Sequence, residues 1–268
     1  MISFPHCKIN LGLNILVKRP DGYHEIETCF YPIPWTDILE IIPSEHLEFT
    51  SSGIAIPGRP EENLCLKAYH LLRKDFELSP VKIHLHKIIP MGAGLGGGSS
   101  DAAFTLRLLN TIFELKISEE AMKQYASRLG SDCSFFVKDT PQVGTGRGEI
   151  LNPIQFNLKE KFIVIIIPPI HVSTAEAYAG VKPAMSSNIM DIITRDISSW
   201  RNLLKNDFEE SVFRNHLQIK SIKEKLYQRN AVYASMSGSG SAVYGIFEKE
   251  IHWPTSVEEG THWSGYLN

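Results

Sequence analysis

A glycine-rich run at positions 92–98 constrains the fold of this chain more than any other feature of its sequence. The surrounding segment, 90–103, reads PMGAGLGGGSSDAA, and the run itself holds five of the 19 glycines. Without side chains, backbone N–H groups can approach a ligand closely. An apolar helical pattern follows, with Ala102, Leu106 and Leu109. A glycine loop that leads into a helix N-terminus offers free N–H groups and the positive end of the helix dipole, so the segment predicts a phosphate site.

Flexible linkers and plain turns are also rich in glycine and serine, so the run has a second interpretation. The flanking sequence argues against a linker. An alternating strand pattern, 81–86, precedes the run and a helical pattern follows it, and Met91 and Leu95 add apolar side chains that a solvated linker does not need.

A dinucleotide-binding fold is a third interpretation, because Gly92, Gly94 and Gly97 match the spacing G-x-G-x-x-G. The strand of that fold is buried on both faces, whereas 81–86 alternates apolar and polar residues as in a half-exposed antiparallel sheet. A P-loop is not indicated, since Gly-Lys-Ser/Thr occurs nowhere in the sequence. The run therefore predicts a phosphate loop of another lineage.

Composition and charge narrow the class of protein. The 268 residues are 43% hydrophobic, enough for two packed domains or one large one. A formal net charge of -3 gives no electrostatic reason to expect a nucleic-acid or membrane partner. The four cysteines are scattered without a C-x-x-C pair, and the N-terminus lacks the pattern of a signal peptide. We expect a soluble, cytoplasmic protein that keeps its cysteines reduced.

Strand and helix patterns mix along the chain without a regular βαβ rhythm, which favours an α+β fold. Apolar residues at helical spacing predict a helix over 64–76, which Asn63 is well placed to cap, and another over 200–213. A polar stretch marked by proline and glycine, 139–157, precedes the apolar strand pattern at 162–167. We therefore predict two domains, 1–157 and 158–268, with the boundary at about Asn157.

The glycine-rich run resembles the signature Pro-x-x-x-Gly-Leu-Gly-Ser-Ser-x-Ala of the galactokinase, homoserine kinase, mevalonate kinase and phosphomevalonate kinase superfamily (the GHMP kinases), with extra glycines before Ser99. This lengthened form is similar to the branch that phosphorylates 4-diphosphocytidyl-2-C-methyl-D-erythritol. Further matches to that branch are Lys8–Leu16, Arg19–Thr28, Glu62–Leu64, Gly130–Phe136, Gly144–Gly148, Ser173–Thr174 with Tyr178, and Ser235–Ser241. The resemblance spans residues 4 to about 247, and the tail after His252 departs from it.

The resemblance implies a two-lobed α+β kinase of the GHMP type. The N-terminal lobe would be like ribosomal protein S5 domain 2 and would carry the phosphate loop and the catalytic residues; the ferredoxin-like C-terminal lobe would complete the substrate site. The implied activity is ATP-dependent phosphorylation of the 2-hydroxyl of 4-diphosphocytidyl-2-C-methyl-D-erythritol in the non-mevalonate isoprenoid pathway, with Mg²⁺ accompanying the ATP. The alternatives are another small-alcohol kinase of the superfamily and a non-catalytic nucleotide-binding homologue. The sequence assigns no metal ligands and no oligomeric state.

Two residues are candidates for catalysis. Asp132 follows Gly130 and Ser131, and by position alone it is typical of an Asx-turn or a helix cap. The resemblance implies that it is the catalytic base. Lys8 by itself is typical of a solvated surface group, but the resemblance places it beside Asp132, where its charge would keep the carboxylate ionised and stabilise negative charge on the reacting oxygens.

The resemblance also implies the binding residues. Tyr23 and His24 follow a turn and alone would indicate only a packed loop; by resemblance Tyr23 stacks on cytosine and His24 hydrogen-bonds its edge. Tyr178 would be the second stacking ring, and the set is completed by Thr174 and Asn10 on the substrate side. Asn63 and Lys87 are implied on the adenine side. The implied phosphate loop consists of Pro90, Met91, Gly92, Ala93, Gly94, Leu95, Gly96, Gly97, Gly98, Ser99 and Ser100.

Overall fold

The computed structural model describes residues 1–183, 188–254 and 260–267. Within these residues the strands are β1 (Ile2–Ser3), β2 (His6–Lys18), β3 (His24–Thr36), β4 (Ile38–Pro43), β5 (Glu48–Gly53), β6 (Val81–Lys87), β7 (Gln142–Thr145), β8 (Ile150–Pro153), β9 (Phe162–Ile167), β10 (Tyr233–Met236), β11 (Val243–Phe247) and β12 (Thr261–Tyr266). The α-helices are α1 (Leu64–Arg73), α2 (Gly97–Ile112), α3 (Glu119–Leu129), α4 (Thr174–Ala179), α5 (Ile189–Ile193), α6 (Trp200–Leu203), α7 (Phe208–Asn215) and α8 (Leu217–Gln228).

The chain forms two compact units, each built from three segments. The first unit holds Met1–Cys7, Trp35–Met91 and Gly96–Asp139; the second holds Lys8–Pro34, Gly92–Leu95 and Thr140–Asn268. Strands and helices mix in both, which confirms the predicted α+β class. The lobe boundary at Asn157 stays a prediction.

The first unit contains a four-stranded sheet in the order β1-β4-β6-β5. Strand β6 runs antiparallel to β4 and parallel to β5. Its odd-numbered residues from Val81 to Lys87 are buried and its even-numbered residues are not, so the alternation in the sequence is confirmed. Helix α1 begins where predicted, because the Asn63 side chain accepts a capping hydrogen bond from the backbone N–H of Cys65.

The second unit contains the sheet β10-β11-β9-β12 and most residues of the sheet β2-β3-β7-β8. All six residues of β9 are buried, and β9 lies between β11 and β12, antiparallel to both. Its side chains Val164 and Ile166 join a core that includes Phe208 from α7 and Leu226 from α8. The short apolar run at 162–167 is therefore a central strand, as the sequence predicted.

Three features of the fold differ from the sequence patterns. Helix α2 begins at Gly97, within the glycine run, because Gly96 in a left-handed conformation starts the helix. The helical pattern of 200–213 is interrupted before α7, where the Asn206 side chain donates to the backbone carbonyls of Met236 and Gly238. The hairpin β7-β8 and strand β12 were not predicted, since their sequences are polar or contain glycine and proline, and pairing with β3 and β9 decides their conformation.

Among the residues that the structure describes, no helix combines the length and hydrophobicity that a bilayer span requires.

Candidate active site

The glycine-rich turn needs glycine for conformational reasons. Gly92, Gly94 and Gly96 have φ values of 69°, 80° and 70°, in the left-handed region that residues with a Cβ rarely adopt. The first helical hydrogen bond after this turn runs from the N–H of Ser100 to the carbonyl of Gly96. The N–H groups that precede it, from Gly97 onward, have no partner within the helix and suit an anion.

The second glycine motif, 236–241, packs directly on this turn within the second unit. Ser237 Oγ donates to the carbonyl of Gly94 over 2.8 Å, and the N–H of Ala242 donates to the carbonyl of Ala93. A Cβ on Gly94 would lie 2.0 Å from the backbone oxygen of Ser237. Only glycine at position 94 allows the two backbones to approach this closely.

Lys8 is buried, with 3% of its surface exposed, so its interpretation as a solvated surface group is wrong. Its Nζ donates to Asn10 Oδ1 over 2.6 Å and to the carbonyl of Gly94 over 3.0 Å. Asn10 Nδ2 in turn donates to Thr28 Oγ1 over 2.9 Å. The ammonium group is therefore fixed beside the glycine-rich turn.

Asp132 lies in the first unit, just before a short 3₁₀ helix, Cys133–Val137. It occupies the N-cap position, but its side chain makes no capping hydrogen bond. The helix-cap interpretation of this carboxylate is therefore wrong. Its contact with Lys8 stays a prediction.

The structure brings His24 and Tyr178 together. Their rings stack with centroids 4.7 Å apart and planes 17° apart, and Phe208 meets Tyr178 edge-on at 4.8 Å. Thr174 begins the helix that carries Tyr178, one turn before it, and its hydroxyl lies 3.5 Å from that of Ser239.

Tyr23 is more open, with 57% of its surface exposed. The guanidinium of Arg147 lies 4.8 Å from the centre of its ring, a cation–π contact. The sequence analysis assigns no role to Arg147, although the residue lies within the family-like motif Gly144–Gly148. A cation within a glycine turn was the signal that could have found it.

A pocket of about 290 Å³ lies within the first unit, beside the first turn of α2. Asn63, Met91, Gly98 and Asp101 are among its lining residues. Asn63 uses its amide oxygen to cap α1, over 2.8 Å to the N–H of Cys65. Three residues predicted to bind ATP therefore line one pocket: Asn63 on the adenine side, and Met91 and Gly98 from the phosphate loop.

Lys87 is buried and does not line this pocket. Its Nζ donates to Asp37 Oδ2 over 2.5 Å and to Asp101 Oδ2 over 2.7 Å. Asp37 Oδ1 also accepts from the backbone N–H groups of Ile88 and Ile89, which lead toward the glycine run. Burial acts to lower the pKa of Lys87, but the two carboxylates outweigh it and raise that pKa above its usual value.

Sequence reasoning missed both carboxylates. The signal was present in β6, because Lys87 stands in the buried register of an alternating strand. A lysine in that register requires an acidic partner.

Comparisons with known proteins define the class. Residues 63–139 match the model of the GHMP kinases N terminal domain, and residues 188–252 match that of the GHMP kinases C terminal domain. These matches, together with the α+β fold and the glycine-rich turn, are those of a GHMP-type small-molecule kinase.

The relatives narrow this class. A 4-diphosphocytidyl-2-C-methyl-D-erythritol kinase of Cytophaga hutchinsonii is 54% identical over 97% of this chain and 96% of its own length, and one of Bacteroides thetaiotaomicron is 51% identical over 96% and 97%. A crystal structure of a 4-(cytidine 5'-diphospho)-2C-methyl-D-erythritol kinase is similar with a TM-score of 0.85 and 29% identity, covering 100% of this chain and 99% of that one. The chain belongs to the 4-diphosphocytidyl-2-C-methyl-D-erythritol kinase family of the GHMP kinases, and it is a kinase that uses ATP.

Proposed function

We propose that this protein transfers the γ-phosphoryl group of ATP to the 2-hydroxyl of 4-diphosphocytidyl-2-C-methyl-D-erythritol, in the non-mevalonate isoprenoid pathway. The observation that carries the proposal is the 54% identity to the Cytophaga kinase over nearly the whole of both chains. The buried Lys8 beside the glycine-rich turn supports it, because this arrangement supplies a fixed positive charge next to a phosphate site.

ATP would bind with its phosphates on the glycine-rich turn and the first turn of α2. Its adenine would occupy the pocket lined by Asn63 and Met91. Free N–H groups, the helix dipole and the charge of Lys8 all favour the polyphosphate there. The buried ammonium group of Lys87 would add positive charge next to Gly97, the first residue of α2.

In the transfer step, Asp132 would orient the 2-hydroxyl of the substrate and accept its proton. The hydroxyl oxygen forms a bond to the γ-phosphorus as the bond from that phosphorus to the ADP oxygen breaks. Lys8 would stabilise the negative charge on the oxygens of the transferred group. Its hydrogen bond to Asn10 holds the ammonium in one position, so no reorganisation is required when that charge develops.

The cytosine of the substrate would be held by aromatic side chains of the second unit. Tyr23 and Tyr178 would stack on the base, and His24 would hydrogen-bond its edge. Thr174 and Asn10 complete the proposed substrate contacts. The present stacking of His24 on Tyr178 supports the assignment, because it shows that the Tyr178 ring accepts a planar aromatic partner at van der Waals distance.

We assign Mg²⁺ to the phosphates of ATP. Mg²⁺ is usually held by substrate phosphates with one or two carboxylates, rather than by a cage of protein ligands. In the ranges 1–183, 188–254 and 260–267, no three His, Cys, Asp or Glu side chains are grouped to hold a metal. The cytoplasmic location and the absence of nucleic-acid and membrane partners stay predictions.

Tyr178→Ala is expected to raise the KM for the diphosphocytidyl substrate and to leave the KM for ATP almost unchanged. Loss of one stacked ring costs about 1–3 kcal/mol of binding free energy. Steady-state kinetics with each substrate varied in turn measures the effect. Tyr178→Phe keeps the ring and should stay near wild type, and Tyr125→Ala removes a half-buried tyrosine of the first unit as a control. An equal rise in both KM values would count against the cytosine site.

Cytidine monophosphate tests the same site without a mutation. It should compete with the alcohol substrate and not with ATP, since it carries the cytosine but lacks the reacting hydroxyl. Competition against ATP alone would show that the cytosine site is wrongly assigned, and another small-alcohol kinase would become the better conclusion.

A further inference from the structure

Asp37, Lys87 and Asp101 form a buried charge cluster within the first unit. The side chains of Asp37 and Lys87 are 0% exposed and that of Asp101 is 4% exposed. One ammonium group serves two carboxylates, so the cluster carries one excess negative charge when all three groups are ionised. Charge imbalance in a dry site is costly. Binding of one proton would neutralise this excess charge and is therefore favourable.

The cluster lies at the start of the helix that is proposed to hold phosphate. A Cβ on Gly97 would lie 3.1 Å from Lys87 Nζ, which places the ammonium against the first residue of α2. Asp101 is one turn further along, and helical side chains lean toward the N-terminus, so its carboxylate covers the same turn. Asp101 also lines the pocket beside Asn63.

The two carboxylates are not equivalent. Asp37 uses both oxygens, one on Lys87 and the other on two backbone N–H groups. Asp101 uses Oδ2 on Lys87, while its buried Oδ1 has no hydrogen-bond partner among the described residues. A proton is therefore more favourable on Asp101 than on Asp37.

The groups that face Asp101 agree with this assignment. Burial raises its pKa, Lys87 from β6 lowers it, and Asp37 from the segment before β4 raises it, to a value of about 7. The N-terminus of α2 favours the carboxylate. From α1 the nearby group is the Cys65 thiol, and burial raises the pKa of that thiol so that it stays neutral.

We propose that the protonation state of Asp101 sets the affinity of this kinase for ATP. The neutral carboxyl leaves the cluster uncharged and favours the polyphosphate, whereas the carboxylate adds a negative charge below the turn and opposes it. The inference rests on the proposed function, because it requires the ATP phosphates to bind at the start of α2. Asp101 acts through the charge of this turn and takes no part in the transfer step.

The sign of the pH dependence follows from the charge. Below the pKa of Asp101 the carboxyl is neutral and ATP binds well; as the pH rises through about 7, the carboxylate forms and binding weakens. By linkage, ATP binding raises that pKa, so the protein takes up protons when it binds ATP near neutral pH. A unit charge within a Debye length of the phosphates should change the affinity for ATP by about fivefold between the two protonation states of Asp101.

Asp101→Asn tests the inference, because the amide keeps the shape and the hydrogen bond to Lys87 but cannot ionise. ATP binding is measured by calorimetry from pH 6 to 8.5, in buffers that differ in ionisation enthalpy, with no alcohol substrate present. We expect affinity for ATP to fall about fivefold across this range in the wild type and to change less in the variant, with proton uptake reduced accordingly. Asp191→Asn, at an exposed residue of the second unit, controls for loss of a carboxylate and should match wild type.

The outcomes separate the inference from the proposed function. If wild type and Asp101→Asn bind ATP with the same pH dependence and the same proton uptake, the inference is wrong and the kinase assignment stands. If neither binds ATP, the proposed ATP site itself is wrong. Should the amide variant not fold, Asp101→Ser is a second neutral variant, and absence of proton uptake by the wild type overturns the inference without any variant.

Discussion

Asp132→Asn should lower kcat by about 10²–10⁴-fold and leave both KM values nearly unchanged. The amide preserves the size of the side chain but cannot accept the proton of the substrate hydroxyl. The structure places this residue at the N-cap position of the short 3₁₀ helix Cys133–Val137, where its side chain makes no capping hydrogen bond. Steady-state kinetics with saturating ATP measures the effect.

The control for this prediction is Asp191→Asn, which removes an exposed carboxylate of the second unit and should leave kcat at the wild-type value. Circular dichroism would establish that both variants are folded. Near-normal turnover in Asp132→Asn would remove Asp132 from the mechanism and leave Lys8 as the remaining candidate for catalysis.

Lys87→Met is expected to destabilise the protein by about 3–5 kcal/mol, because it leaves two buried carboxylates without their cation. Urea unfolding at pH 8 measures the loss of unfolding free energy. The loss should shrink at lower pH, where the orphaned carboxyl groups bind protons in the folded protein.

Lys82→Met is the matched control, since Lys82 stands in the same strand but on its exposed side, paired with Glu48. An exposed ion pair contributes only about 0–1 kcal/mol. Equal losses in the two variants would contradict the structural role of the cluster. A Lys87→Met protein of wild-type stability that lost affinity for ATP would instead indicate a direct contact of Lys87 with the adenine.

The sequence predicted the fold well where local patterns agree with tertiary packing. Three such predictions are confirmed: the alternating burial of β6, the complete burial of β9 and the helix cap at Asn63. Each depends on residues that are close together in the sequence. The sequence of strand β12 has no clear alternation of apolar and polar residues. Its half-exposed residues form a strand because they pair with β9, which a local pattern cannot reveal.

In the candidate site, too, local features could be predicted from the sequence and long-range contacts could not. The glycine-rich turn could be predicted, since close backbone approach and positive φ values leave glycine as the favoured residue. The partners of Lys87 could not be read from spacing, because Asp37 and Asp101 are 50 and 14 residues away along the chain. The roles of Asp132, Tyr23 and His24 came from resemblance, and they stay predictions.

The identity of the phosphoryl acceptor can be measured in a coupled ADP-release assay. The purified protein, ATP and Mg²⁺ are combined in turn with 4-diphosphocytidyl-2-C-methyl-D-erythritol, homoserine and mevalonate. We predict sustained ADP release with the diphosphocytidyl alcohol and only background release with the other two. Turnover of homoserine or mevalonate without turnover of the diphosphocytidyl alcohol, or no turnover of any of the three, would contradict the account.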